Sequence, residues 1–206
     1  MHILLTRPLE DCSELIIKFK SLGHQVSHLP LIKIDMVEYP KINCSDFGGI
    51  IFTSANAIKF FDLVKIDKNI NCFCVGNATE RKARSLGFQN TIAAEGNVMS
   101  LKELILQNYD SREKPILYVS GETISIDLDQ QLVNEGIKVE RIINYRANHI
   151  EKFDENFVKN LKSKIPEVVY IYSQNSALSF LKFIKINQSE KLWMNTNLMC
   201  ISEKTS

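Results

Sequence analysis

No apolar run in this chain approaches the roughly 18 residues that a membrane-spanning helix needs. The opening residues MHILLTRPLED hold no charged leader followed by an apolar core and a cleavage site, so a cytoplasmic location is expected. Neither sign of charge is in excess: 25 Lys and Arg face 24 Asp and Glu, a net charge of +1. That balance gives no electrostatic case for nucleic acid or a membrane surface as partner. No G-x-G-x-x-G follows a strand-like run, and no G-x-x-x-x-G-K-S/T occurs, so the dinucleotide fingerprint and the phosphate loop are both missing. His2, His24, His28 and His149 are scattered, without metal-ligand spacing. Aspartates are missing from the strand ends where a receiver-type phosphorylation domain needs them. Cysteine is sparse and odd in number: Cys12, Cys44, Cys72, Cys74 and Cys200 read as reduced thiols. Cys72 and Cys74, two apart in an apolar run, face the same side of one strand and read as core.

What is present is an ordinary globular composition, 45% hydrophobic and 24% charged, on 206 residues. That length suits two domains of roughly 100 residues each. HILLTR (2–7) reads as a buried strand, DCSELIIKFKSLG (11–23) as an amphipathic helix closed by Gly23, and QVSHLPLIKI (25–34) as a second strand. Gly87 and Gly136 close two later helices in the same way. Strand and helix alternate almost throughout, which predicts an α/β fold of parallel sheets covered by helices on both faces.

Two extended polar stretches break that rhythm, 33–43 and 141–149. The first follows only two strands, too few for a sheet of their own. The economical reading is a chain that leaves an incomplete first domain, builds a second, and returns. Residues 1–37 plus 147–206 then form domain 1, and 38–146 form domain 2. Paired linkers of this kind permit hinge motion about an interdomain cleft.

Five apolar runs pass directly into hydroxyl-rich turns that open helices: IIFTSANA (50–57), CFCVGNAT (72–79), ILYVSGET (116–123), VVYIYSQNSA (168–177) and LMCISEKTS (198–206). A strand that ends this way leaves unpaired backbone N–H groups, carrying partial positive charge, at the carboxyl edge of the sheet. Such an edge can hold anions. Each turn taken singly is also explained as a helix N-cap, worth about 1 kcal/mol. As a set they favour binding, since Gly76 and Gly121 adjoin the hydroxyls and ligands of open α/β sheets bind at that edge.

The series LLTRP (4–8), G-x-x-V-x-x-x-P (23–30), IFTSANA (51–57), VGNAT (75–79), EGN (95–97), L-x-x-x-G with V-x-x-x-x-x-Y (132–145), YSQNSALSF (172–180) and CISEKT (200–205) resembles the uroporphyrinogen-III synthase family. The match runs in order along essentially the whole chain. The resemblance implies two doubly wound, flavodoxin-like α/β domains joined by a two-stranded connector, the first domain discontinuous. It also implies that hydroxymethylbilane, a linear tetrapyrrole bearing acetate and propionate groups, is closed with inversion of its terminal ring and loss of water. No metal or organic cofactor is implied, and a monomer is expected. Because this substrate ionises readily and cyclises unaided to the wrong isomer, the enzyme's task is to hold one conformation.

By the same resemblance, Thr53 and Ser54, Thr79 beside Gly76, and Gly96 and Gly121 serve the substrate from the second domain. Ser173, Ser176 and Thr205 do so from the first. Arg7, after the first strand, pairs with a carboxylate or else forms a surface salt bridge. Tyr145, in the returning linker, matches the family tyrosine that assists departure of the substrate hydroxyl; packing of the hinge is its other explanation. The family continues beyond the CIS-x-x-T turn with a further helix, strand and helix, so a first domain lacking its C-terminal strand and helix is expected. The competing functional reading is a binding module that holds a carboxylate- or phosphate-bearing metabolite unchanged.

Overall fold

The computed structural model describes residues 1–64, 66–110, 112 and 114–200. In chain order its elements are β1 (His2–Leu5), α1 (Leu9–Ser21), β2 (Gln25–His28), β3 (Ile32–Met36), β4 (Gly49–Phe52), α2 (Ala55–Lys59), β5 (Asn71–Cys74), α3 (Asn77–Ser85), β6 (Thr91–Ala93), α4 (Val98–Asn108), β7 (Ile116–Gly121), α5 (Leu128–Asn134), β8 (Val139–His149), α6 (Glu155–Ser163), β9 (Val168–Ile171), α7 (Gln174–Ile186) and β10 (Asn197–Cys200). The fold is mixed α/β with parallel sheets. It divides into two compact units, Met1–Lys33 with the segment from Asn148, and Ile34–Ala147.

The first unit holds a four-stranded sheet in the order β10-β9-β1-β2, each neighbouring pair parallel. All four residues of β1 are buried, as expected of a strand covered on both faces. Leu4, Val169 and Ile171 pack with Phe180, Phe183 and Trp193 on one side, and Ile3 and Leu5 with Cys12 of α1 on the other. Helix α1 carries Glu10 and Asp11 in its first turn and Lys18 and Lys20 in its last, complementing the helix dipole. It stops at Gly23, whose φ of 78° suits glycine.

The second unit holds a six-stranded sheet in the order β3-β8-β7-β4-β5-β6. Strands β5, β4 and β7 are sandwiched: Ile50, Phe52, Cys72, Cys74, Leu117 and Val119 face one core, Ile51, Phe73 and Tyr118 the other. Cys72 and Cys74 lie side by side in that first core, Sγ to Sγ 3.9 Å, as the strand period requires. Gly87 and Gly136 follow α3 and α5 with φ of 96° and 88°.

One expectation is corrected. The run 25–34, read as one strand, is two strands in two different sheets. Pro30 has no N–H to give a ladder, and its neighbours turn to the end of β1 instead: Leu29 N–H bonds the Leu5 carbonyl at 2.9 Å and Leu31 N–H that of Thr6 at 3.1 Å. The expected lack of a final strand and helix falls beyond Cys200, outside the described residues.

Among the described residues, no helix is long and apolar enough to cross a membrane.

Candidate active site at the strand ends

In each unit the chain reverses its winding direction at one place. In the second unit, β4 is followed outward by β5 and β6, after which β7 returns to the opposite side of β4. In the first, β2 lies on one side of β1 and β9 on the other. At such a switch point the loops leaving two adjacent strands diverge and open a crevice at the carboxyl edge.

At the switch point of the second unit stand Thr53 and Ser54, after β4, and Gly121, the last residue of β7. The Thr53 hydroxyl meets the Tyr118 phenol at 3.2 Å. Ser54 caps α2, its Oγ accepting the Asn56 N–H at 3.1 Å. Burial raises the pKa of Tyr145 above its ordinary 10, against the opposing pull of the nearby Ser54 hydroxyl. Burial likewise raises Tyr118, against the opposing pull of Thr53 and Arg141.

Tyr145 reaches this position through a bulge. Ser120 pairs with Ile143 and Gly121 with Tyr145, so Asn144 has no opposite number. Strict alternation would place Tyr145 on the face opposite Asn144. Instead Tyr145 packs against the core cluster that contains Ile142, Ala57 and Ile58, and Asn144 donates from Nδ2 to the Ala57 carbonyl at 2.7 Å on that same face. Re-aiming a side chain is what bulges accomplish beside functional sites. The ring lies on Gly121, where an added Cβ would stand 2.7 Å from Cζ and 2.9 Å from the phenol oxygen. Arg141 secures the opposite side of the bulge, Nε donating to Ser120 Oγ at 2.8 Å and Nη2 to the Gly121 carbonyl at 3.0 Å.

The neighbouring turns, after β5 and β6, abut one another. Gly96 N–H bonds the Val75 carbonyl at 2.8 Å, and a Cβ on Gly76 would stand 3.1 Å from the Gly96 Cα. Gly96 also has a φ of 87°, and it is exposed. Thr79 lies in the first turn of α3 and is buried.

In the first unit, Arg7 and Ser173 follow β1 and β9. The Arg7 guanidinium lies over the Tyr172 ring, 4.2 Å from its centre. Burial drives the Tyr172 phenol up to about 12 against the pull of Arg7. Its hydroxyl is buried with no partner among the described residues. Ser173 caps α7, accepting the Ser176 N–H at 3.2 Å, and the two hydroxyls meet at 2.7 Å. Ser173 is exposed and Ser176 buried. His28 bonds the Arg7 carbonyl at 2.7 Å and helps fix the loop. Thr205 lies outside the described residues.

Tyr172, Tyr118, Asn144 and Arg141 escaped the sequence reading. Tyr172 alone carried a signal, standing directly before the Ser173 cap. A cavity of about 560 Å³ on the first unit, lined by Phe153, Val158, Lys159, Lys162, Ile186 and Asn187 among others, includes none of the expected site residues.

A family model described as uroporphyrinogen-III synthase HemD matches residues 13–206. The chain belongs to the uroporphyrinogen-III synthase family. Among curated proteins it is similar to the porphyrin biosynthesis protein HemD of Ruminiclostridium josui, 24% identical over 221 residues that cover 99% of this chain and 42% of that protein. The chain thus spans about two-fifths of that relative's length. Among solved structures, a mutant uroporphyrinogen III synthase from the extremely thermophilic bacterium Thermus thermophilus matches with a TM-score of 0.62 at 11% identity, covering 100% of this chain and 86% of that one. Uroporphyrinogen-III synthetase from Helicobacter pylori matches at 0.60 and 16% identity, covering 100% and 93%. At these identities the two structures establish the shared fold.

Proposed function

We propose that the chain catalyses the family reaction, cyclisation of hydroxymethylbilane to uroporphyrinogen III with inversion of the terminal ring and loss of water, in haem biosynthesis. The observation that carries this reading is the coincidence of family membership with the switch-point geometry. In each unit, residues expected from the family motifs follow the strands beside the switch point, where ligands of open α/β sheets bind. We read the two units as doubly wound, flavodoxin-like domains, 1–37 with 147–206 and 38–146, with β3 and β8 as the two-stranded connector. The protein works as a cytoplasmic monomer without nucleic-acid or membrane partners.

In this proposal Tyr145 donates its phenol proton to the departing hydroxyl, the C–O bond breaks, water leaves, and the terminal ring remains as an azafulvenium cation beside the phenolate. Supporting this, burial raises its pKa, so the proton is present at neutral pH. Arg7, Thr53, Ser54, Ser173 and Thr205 meet substrate carboxylates; Gly76, Gly96 and Gly121 keep the turns low enough for backbone N–H groups to take part. Ser176, being buried, acts from beneath by steadying the Ser173 cap at 2.7 Å, and Thr79 serves the substrate from the first turn of α3.

The test supplies freshly generated hydroxymethylbilane, oxidises the products and separates the porphyrin isomers. Type III is expected; type I alone would leave only the binding-module reading. Tyr145→Phe should slow formation of type III by roughly tenfold to a hundredfold without abolishing it, because the substrate ionises readily. Complete loss in a folded variant would contradict a conformational mechanism.

A further inference from the structure

We propose that Asn144 is a positioning residue: by tying α2 to the bulge in β8, it holds the Tyr145 phenol and the Ser54 hydroxyl in one arrangement. This rests on the reading of Tyr145 given above.

Asn144 is fully buried, at 0% exposure, against a cluster otherwise made of Ile50, Phe52, Ala57, Ile58 and other apolar side chains. Its Nδ2 donates to the Ala57 carbonyl at 2.7 Å, but its Oδ1 has no partner among the described residues. An orphaned buried acceptor is costly, and leucine, branched at the same atom though larger, would lack it. Local rules broken at a site's edge mark places where geometry is retained at the expense of stability.

The geometry retained here is a tether between α2 and the bulge. Helix α2 has five residues, too few to hold an orientation of its own. Its cap is Ser54, whose hydroxyl is near enough to oppose the rise of the Tyr145 pKa, and three residues later the Ala57 carbonyl receives the Asn144 amide. Asn144 and Tyr145 are adjacent on β8, and the bulge turns both to the α2 face. Without the amide bond, α2 can pivot about its start and its Ser54 cap shifts relative to the phenol. Asn144 itself stays beneath the surface, so its influence passes through Tyr145.

The experiment is a double-mutant cycle with hydroxymethylbilane as substrate, comparing Asn144→Leu, Tyr145→Phe and the pair. Asn144→Leu is expected to fold, its thermal midpoint within about 4 °C of the parent, and to lower kcat about tenfold with KM within about twofold. The pair should be no slower than Tyr145→Phe alone. If the two losses multiply in the pair, or Asn144→Leu keeps the parent kcat, the proposal is overturned while the Tyr145 reading stands. If Tyr145→Phe alone keeps the parent kcat, the Tyr145 reading fails and this proposal falls with it. Should Asn144→Leu not fold, Asn144→Ala removes the amide without adding bulk and carries the same expectations.

Discussion

At Gly121 the absence of one methyl group decides where a phenol lies. The Tyr145 ring occupies the space that a Cβ would claim, at 2.7 to 2.9 Å. That ring is the far end of a rotatable side chain, so Gly121→Ala should fold and displace the phenol, lowering kcat about tenfold with little change in the thermal midpoint. Gly23 makes the opposite case. Nothing stands within 4 Å of its missing Cβ, but its φ is 78°. Gly23→Ala should cost about 1 kcal/mol of stability and leave kcat alone. Parallel kinetics and urea melts of the two variants distinguish a glycine kept for a neighbour from a glycine kept for its backbone.

Among the elements, α3 and β6 are fastened by a single carboxylate. Glu80, in the first turn of α3, accepts from Arg84 Nε and Nη2 at 3.0 and 2.9 Å and from the Thr91 hydroxyl of β6 at 3.0 Å. These hydrogen bonds, Arg84 foremost, hold its pKa below the ordinary 4.5. The unfolded chain therefore binds the proton first as pH falls, so this stabilisation is complete above about pH 4.5 and is lost as pH drops through the folded value. Glu80→Gln should be less stable than the parent at pH 7 and show a shallower decline below pH 4.5, read from urea midpoints against pH. Equal slopes would deny Glu80 this role. Helix α2 shows the contrary arrangement: it is short and depends on caps and tertiary bonds, so its loss should register in the reaction before it registers in the melt.

For the whole molecule, the division into two units with separate cores predicts two acid responses. His2 and His149 both belong to the first unit, and burial lowers the pKa of each, assisted by Lys164 and Lys182 respectively. Below the ordinary 6.5 the unfolded chain takes up these protons more readily than the folded unit, so the first unit loses stability as pH falls through that region. The single tryptophan, Trp193, is buried there against Phe180 and Phe183. Its fluorescence reports the first unit alone. The Trp193 transition should move to lower urea between about pH 7 and pH 5, while hydrogen exchange in β7 of the second unit stays unchanged until the Glu80 region near pH 4.5. Coincident transitions would mean that the units melt as one.

By itself the sequence determined whatever depends on neighbours along the chain. The alternation of strands and helices, the glycine stops at Gly23, Gly87 and Gly136, the common orientation of Cys72 and Cys74, and the hydroxyl caps Ser54 and Ser173 all follow from period and local backbone chemistry. The order of motifs was also enough to identify the family. Tertiary structure alone decided what depends on residues brought together from afar: that Arg7 stacks on Tyr172, that Thr79 and Ser176 are buried while Ser173 is exposed, and that a bulge opposite Gly121 turns Tyr145 toward Ser54. An unpaired Asn144 leaves no mark on hydrophobic period, because the extra residue is defined only by the strand beside it. Local signals name the groups; only the fold gives them their directions.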